Sequence, residues 1–359
     1  MSAAESFDDD VCFDTDVLVV GGGPIGLAAA IEARLAGLDV VVVEPRGSAI
    51  DKACGEGLMP GAVAALARLG VHPQGHPLLG IGYRGGARHV EHHFESGPGL
   101  GVRRTTLPAA LDARATALGV RRVVGRVGAI EQDRDTVTAA GVRARWLLGC
   151  DGLHSTVRRV VGLDRPVDEL PRRRDGGDDR RRFGLRQHFH VAPWADLVEV
   201  HWGRSVEAYV TPVADDVVGV AILGPPHTDY AHALATFPEL ADRLRGAEPA
   251  GTLRGAGPLR QRTSRRTAGR VRLVGDASGY VDALTGEGLR VGLAQAAAAV
   301  AHLDDADAYE RAWSASTRDY RALTTALVAM ATSPLRRVIV PTAVHLPRVF
   351  GAVVERLAR

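Results

Sequence analysis

Asp16-Val17-Leu18-Val19-Val20-Gly21-Gly22-Gly23-Pro24-Ile25-Gly26 is the stretch that decides the fold. A short, continuous apolar run reads as a strand buried on both faces, the signature of a parallel sheet. It feeds directly into Gly21-x-Gly23-x-x-Gly26. An Ala/Leu-rich segment follows to about Ala36, where Gly37 ends a helix. Leu38–Glu44 is a second buried strand. Strand, turn, helix and strand within about thirty residues form a βαβ unit. In that setting Gly21 turns the chain, Gly23 admits a pyrophosphate against the backbone, and Gly26 lets helix and strand pack closely. Pro24 and Ile25 open the helix, whose N-terminus faces the phosphates. Glu44 ends the second strand, 18 residues beyond Gly26, where a carboxylate suits a ribose hydroxyl, and Arg46 follows it as a cation. These features predict a dinucleotide site but do not separate NAD from FAD.

Outward from this unit, a short helix over 60–70 ends at Gly70, and two strands over 79–94 flank Gly85-Gly86. A helix is expected over 106–118, then strands near 120–130, 135–139 and 142–149. Phe183–Val191, Leu197–Trp202, Val206–Val213 and Val217–Leu223 are β-rich with turns between them, which predicts an antiparallel sheet. Val271–Val274 returns to buried parallel-strand character, and helical patterns occupy 286–303 and 307–331. Pro171–Arg182 reads as a solvated charged loop, because no aromatic residues are interleaved with its charges.

Three segments in order carry a family resemblance. They are the glycine turn, the run Gly149-Cys150-Asp151-Gly152 that continues to Arg158, and Val274-Gly275-Asp276-Ala277. Together they resemble the FAD-dependent aromatic hydroxylase superfamily of flavoprotein monooxygenases. That superfamily also holds the geranylgeranyl reductases and flavin-dependent halogenases, and the resemblance covers residues 16 to about 300. It implies non-covalently bound FAD, with Asp276 on the ribityl hydroxyls. Asp151 is implied near the pyrophosphate and the approach of NAD(P)H, and Arg104 at the phosphate–ribityl region. An extended dinucleotide needs such acceptors and a cation.

Cys54-Gly55-x-Gly57 followed by Pro60, and Leu284-Thr285-Gly286-Glu287-Gly288, resemble the geranylgeranyl reductase branch. Gly286 and Gly288 would bring backbone N–H groups to the flavin, while Glu287 points away or caps the helix. Trp194 stands alone where halogenases carry a Trp-x-Trp pair. Lys52, the single lysine, and Cys54 are pocket candidates, and no catalytic residue is assigned. His188, His190 and His201 fall on adjacent strands. They are read as a polar face or pocket lining and not as a metal site, for want of a third ligand at matching spacing.

The fold class that follows is α/β: a Rossmann-like FAD-binding domain, an inserted antiparallel β-sheet substrate domain and C-terminal helices. The FAD-binding domain is expected over 16–165 and 268–331, with small inserted strands at about 79–104. It follows a disordered lead-in over 1–15. The substrate domain is expected over 183–267 and a helical segment over 332–359. The implied function is hydroxylation of a hydrophobic aromatic or polyketide-like small molecule with NAD(P)H and O2. The alternatives are reduction of an isoprenoid-type C=C bond, or a flavin-binding accessory protein without turnover. A small-molecule substrate is expected, with NAD(P)H as transient reductant or a separate reductase protein.

The 359-residue chain is 46% apolar and 24% charged, with a net charge of +2, which offers no general case for nucleic-acid binding. All but one of its 44 basic residues are arginine, read first as composition bias. Three widely spaced cysteines and an acidic Met1–Asp10 without an apolar core predict a reduced, cytoplasmic setting. Leu346, Val349, Phe350, Val353 and Leu357 form an amphipathic stripe among arginines. It is expected to dock on the protein's own core, leaving at most weak, salt-sensitive contact with a membrane.

Overall fold

The computed structural model describes residues 14–46, 52–165 and 181–359. The expected lead-in lies outside these residues up to Phe13, and Thr15 already opens the first strand. Four parallel pairings form the centre of the main sheet, in the order Val271–Leu273, Val142–Gly149, Thr15–Val20, Val40–Glu44 and Arg121–Val124. Alternate side chains of the buried strands serve opposite cores. Val17 and Val19 meet Leu27, Ile31, Leu111 and Leu293 from the helices Pro24–Leu35, Thr106–Ala117 and Gly288–Ala301. Leu18 and Val20 meet Val137, Val142, Val157 and Leu273 on the other face. Burial on both faces is why these strands read as unbroken apolar runs.

The second sheet runs in the order Glu248–Pro249, Phe183–His190, Val217–Gly224, Glu207–Ala214, Leu197–Trp202, Gly80–Gly85 and Arg88–His93. The last two strands, expected as small insertions in the FAD-binding domain, instead extend the antiparallel sheet, Gly80–Gly85 pairing parallel to Leu197–Trp202. A pairing between segments more than a hundred residues apart leaves no local pattern to read. Close backbone approach explains the glycine there, since a Cβ on Gly80 would lie 2.1 Å from the His92 carbonyl oxygen.

The charged run ending at Arg182 also differs from expectation where it is described; residues 171–180 lie outside the described residues. Arg182 is 6% exposed, not solvated. Its Nη2 meets Glu207 Oε2 at 2.7 Å and its Nε meets Asp282 Oδ2 at 2.9 Å. Arg336 Nη1 lies 2.5 Å from the other Glu207 oxygen. Glu207 is fully buried, so the sheet, the segment after Gly275–Ser278 and the C-terminal helices share one desolvated carboxylate.

The chain ends in a long helix, Ala306–Ala331, a short one, Ile339–His345, and a last one, Pro347–Ala358. The terminal stripe divides. Phe350 and Val354 pack on Ile81, Tyr83, Val90 and Phe94, and Glu355 accepts hydrogen bonds from His92 Nε2 at 2.9 Å and Glu95 N at 3.0 Å. Leu346 and Val349 remain exposed.

Removing one partner of a buried ion pair costs about 3–5 kcal/mol, because the other charge stays desolvated. Glu207→Ala should lose about that much stability and should open the C-terminal helices first. Amide hydrogen exchange checks this: exchange over 334–358 should accelerate before that of the main sheet, and equal protection in both proteins would refute the assignment.

Candidate flavin and substrate site

A continuous cavity of about 1100 Å³ runs between the two sheets and beneath the C-terminal helices. One half is polar and built from the glycine turn and the two aspartate segments. The other is apolar and built from the antiparallel sheet and the helices.

Gly21 has φ of +106°, and a Cβ on it would lie 2.6 Å from the Cys150 carbonyl oxygen. A Cβ on Gly26 would lie 1.8 Å from Gly21 O, whereas one on Gly23 would meet nothing within 4 Å. Two glycines therefore serve packing and the third opens onto the cavity. The helix that starts at Pro24 has no side-chain cap and no acidic residue in its first turn, which leaves its N-terminus to an anion. Ile25 lines the cavity beside it and fills the space against Gly275 and Gly292. Glu44, expected on a ribose hydroxyl, braces the glycine turn here: its Oε2 accepts the Gly22 N–H at 2.8 Å and its Oε1 meets Arg46 Nε at 3.2 Å.

Arg104 lines the cavity with a buried Nη1 that has no hydrogen-bond partner, an arrangement that calls for an anionic or hydroxyl-bearing ligand. Its backbone N–H donates to Glu56 Oε1 at 2.6 Å. Asp276 also lines the cavity. Burial raises its carboxyl pKa, and the cations Arg104, Lys52 and Arg158 oppose that rise. An open glycine turn, an unpartnered guanidinium and an acceptor along one wall fit the diphosphate and ribityl chain of FAD.

Asp151 was expected near the pyrophosphate. It borders the cavity, but its carboxylate is occupied: Oδ2 accepts Thr156 N at 2.6 Å and Val157 N at 3.0 Å, and Oδ1 accepts the Ser155 hydroxyl at 2.6 Å. A helix N-terminus has unpaired N–H groups that a nearby carboxylate satisfies first. Gly286 has φ of +70° and lines the cavity with Gly288. Glu287 points away and pairs with Arg290 Nη2 at 2.6 Å. Burial outweighs Arg290 and pushes the Glu287 pKa up to about 7.

Lys52 lies in the polar half. Its ammonium pKa is lowered by burial and by Arg46 and Arg104, against Glu44 and Asp276. Those neighbours put it with the dinucleotide machinery. Cys54 faces the cavity as a neutral thiol, its pKa pushed up by burial.

Two groups escaped the sequence reading. Arg158 is 2% exposed and bridges the two aspartate segments. It donates to the carbonyls of Leu153 and Ala277, both at 3.2 Å, to Gln261 at 2.8 Å, and to Asp164 at 2.6 Å. Its place seven residues after Asp151 was visible, but the partners were not. The other group centres on Glu56, a non-glycine residue at φ +61°. Its Oε2 accepts from His188 Nε2 at 2.5 Å, and Arg186 Nη1 lies 2.8 Å from His188 Nδ1. Guanidinium only donates, so Nδ1 is the acceptor and the ring proton sits on Nε2. Arg186 also donates to the Lys52 carbonyl at 2.9 Å, which ties the 52–57 loop to the substrate sheet. His201 bonds Glu199 instead, at 3.2 Å, so the strand histidines do not converge.

A parallel sheet with a glycine cradle, next to an antiparallel sheet with an apolar annex, defines a flavoprotein. Residues 14–171 match the family model described as FAD binding domain. Rifampicin monooxygenase of Streptomyces venezuelae is 29% identical over 305 residues, 78% of this chain and 62% of that one. Menaquinone reductase of Mycolicibacterium smegmatis is 38% identical over 168 residues, 41% of this chain and 40% of that one. Among solved structures, p-nitrophenol 4-monooxygenase of Pseudomonas putida superposes with a TM-score of 0.78 at 20% identity, covering 95% of this chain and 96% of that one, a likeness of fold. Residues 14–171 thus form an FAD-binding domain, and most of the chain is similar to FAD-dependent monooxygenases. The chain spans about 62% of the length of the rifampicin monooxygenases it matches.

Asp276→Ala should weaken FAD by roughly ten- to hundredfold, since a hydrogen bond to a charged group contributes about 1.5–3 kcal/mol. Titration of the apoprotein with FAD measures this, and unchanged affinity would remove Asp276 from the site. The raised Glu287 pKa makes a second test. The folded state keeps a proton there that the unfolded state loses above about pH 4.5, so stability falls as pH rises from that value through about 7. Glu287→Gln should raise the melting temperature above pH 7 and match the parent near pH 4. Parallel melting curves across that range would contradict the assignment.

Proposed function

We propose that the protein is an FAD-dependent monooxygenase that hydroxylates a hydrophobic, aromatic or polyketide-like small molecule, with NAD(P)H as reductant and O2 as oxidant. The observation that carries this reading is the continuity of the polar dinucleotide half of the cavity with an apolar half large enough for a fused-ring substrate. Relatives named rifampicin monooxygenase and anhydrotetracycline monooxygenase supply the substrate class by analogy.

When bound, FAD supplies a two-electron carrier that can be reduced by a nicotinamide and can react with O2. The chain's own residues set the conditions. Val200, Leu223, Leu284 and Met330 line the apolar half and exclude water from it. Tyr83 and Tyr209 border it as neutral phenols. Burial raises both pKa values, that of Tyr83 to about 12. Tyr209 Oη donates to the Leu284 carbonyl at 2.9 Å, which holds the loop carrying Gly286 against the substrate sheet. The N-terminus of Gly288–Ala301 follows that loop and favours negative charge beside it.

Reduction of a C=C bond or a quinone is the second reading. It is supported by the Cys54-Gly55-x-Gly57 segment and by the menaquinone reductase relative. The two readings differ in their need for O2. In the first, product forms only aerobically and carries one oxygen atom from labelled O2. Anaerobic formation of a product with two added hydrogens would refute hydroxylation and establish reduction. Cys54→Ala should keep FAD yet change kcat/KM by roughly fivefold, a contact worth about 1 kcal/mol in the transition state. Unchanged kinetics with the authentic substrate would return Cys54 to packing.

A further inference from the structure

Tyr320 to Val354 is a run of thirty-five residues without a single Asp or Glu, yet it holds Arg321, Arg336, Arg337 and Arg348. Its structure is as uneven as its charge. Pro334–His345 turns by 98° from the long helix Ala306–Ala331 and lies across its end. One side of this segment is buried, through Arg336, Ile339, Val340, Ala343 and Phe350. The other side carries Leu335, Val338, Leu346 and Val349, exposed by 57, 45, 50 and 57%. Four of the ten large apolar side chains exposed among the described residues thus fall within fifteen residues. Scattered exposure of this kind is ordinary, but a cluster marks a contact surface.

The patch is also the rim of the cavity. Leu346 and Val349 line the cavity as well as the surface, together with Thr342 and Val353. Apolar surface therefore runs without a break from the outside of the C-terminal helices into the half of the cavity that would take substrate. Arg337 and Arg348 are exposed beside it.

We propose that this face docks on an anionic phospholipid bilayer and sets the cavity mouth against the lipid, so that a lipophilic substrate enters from the membrane. Exposed leucine and valine side chains enter the acyl boundary, and the arginines meet headgroup phosphates. No described helix alone is long and apolar enough to cross a membrane, and the contact proposed here lies in the plane of the surface. A second copy of the chain is a poorer occupant. A twofold contact through this face would bring together the arginines of two copies, with no carboxylate in the segment to offset them. A bilayer supplies the missing negative charge.

Co-sedimentation of the FAD-loaded 359-residue chain with vesicles of phosphatidylcholine, with and without phosphatidylglycerol, tests this without turnover, so its result is separable from that of the proposed reaction. The protein should sediment with the anionic vesicles, more weakly as salt rises. Leu335→Asp/Val338→Asp should lower the vesicle affinity at least about tenfold, equivalent to 1.4 kcal/mol. Its flavin content and melting temperature should stay those of the parent. Leu346→Asp/Val349→Asp provides a second variant if the first does not fold, with the same expected loss. Absence of binding to anionic vesicles at low salt, or undiminished binding by the folded variants, would overturn the proposal. So would a dimer that these substitutions dissociate, in a protein that ignores vesicles.

Discussion

One buried carboxylate links three parts of this molecule. Glu207 belongs to the antiparallel sheet, Arg336 to the C-terminal helices, and Arg182 bridges Glu207 to Asp282, just beyond the second aspartate segment. Asp282 in turn accepts the Leu284 N–H at 3.0 Å, at the head of the loop whose Gly286 and Gly288 line the cavity. The desolvation of so many charges is tolerated only when they remain together, so no part can move without leaving a partner stranded. Substrate sheet, cofactor loop and C-terminal cap therefore hold one arrangement, and the cavity between them keeps its shape.

The same device recurs at the other junctions. Arg158 fastens the Asp151 segment to the Gly275–Ser278 turn, and Arg186 fastens the 52–57 loop to the substrate sheet through Lys52, His188 and Glu56. In each case several donors of one planar guanidinium reach different partners, which a lysine ammonium cannot do with the same geometry. The abundance of arginine is a property of the composition, but its placement at these three junctions is a property of the fold. Elsewhere arginine covers aromatic faces, as Arg266 does over Trp313 at 3.8 Å.

Within the cavity, the chemistry is divided by neighbours. Arg104, Lys52 and Asp276 line the polar part of the cavity, an arrangement that fits a dinucleotide's phosphates and hydroxyls, and the apolar part is bordered by the neutral phenols of Tyr83 and Tyr209. Such a partition keeps charge away from the part that would receive a hydrophobic molecule. Asp151 borders the cavity too, with its carboxylate held by the N–H groups of Thr156 and Val157 and the Ser155 hydroxyl.

The sequence by itself determined the parallel βαβ core, the glycine cradle and the existence of an antiparallel sheet, and a family resemblance added Arg104 and Asp276, which line the cavity. All of these rest on local signals: apolar runs for strands buried on both faces, glycines where a Cβ has no room, and short motifs in a fixed order. Only the tertiary structure decided that Gly80–Gly85 and Arg88–His93 extend the substrate sheet and that Arg182 is buried. It also decided that Asp151 caps a helix and that Glu56 receives His188. The terminal stripe shows the boundary most plainly. Its 3.6-residue period announced an amphipathic helix, but period alone cannot say what each flank meets. Phe350 found Tyr83, while Val349, one residue away, was left facing outward at the cavity rim. Partners distant in sequence are chosen by packing and by the desolvation of charge, and neither leaves a periodic trace in the chain.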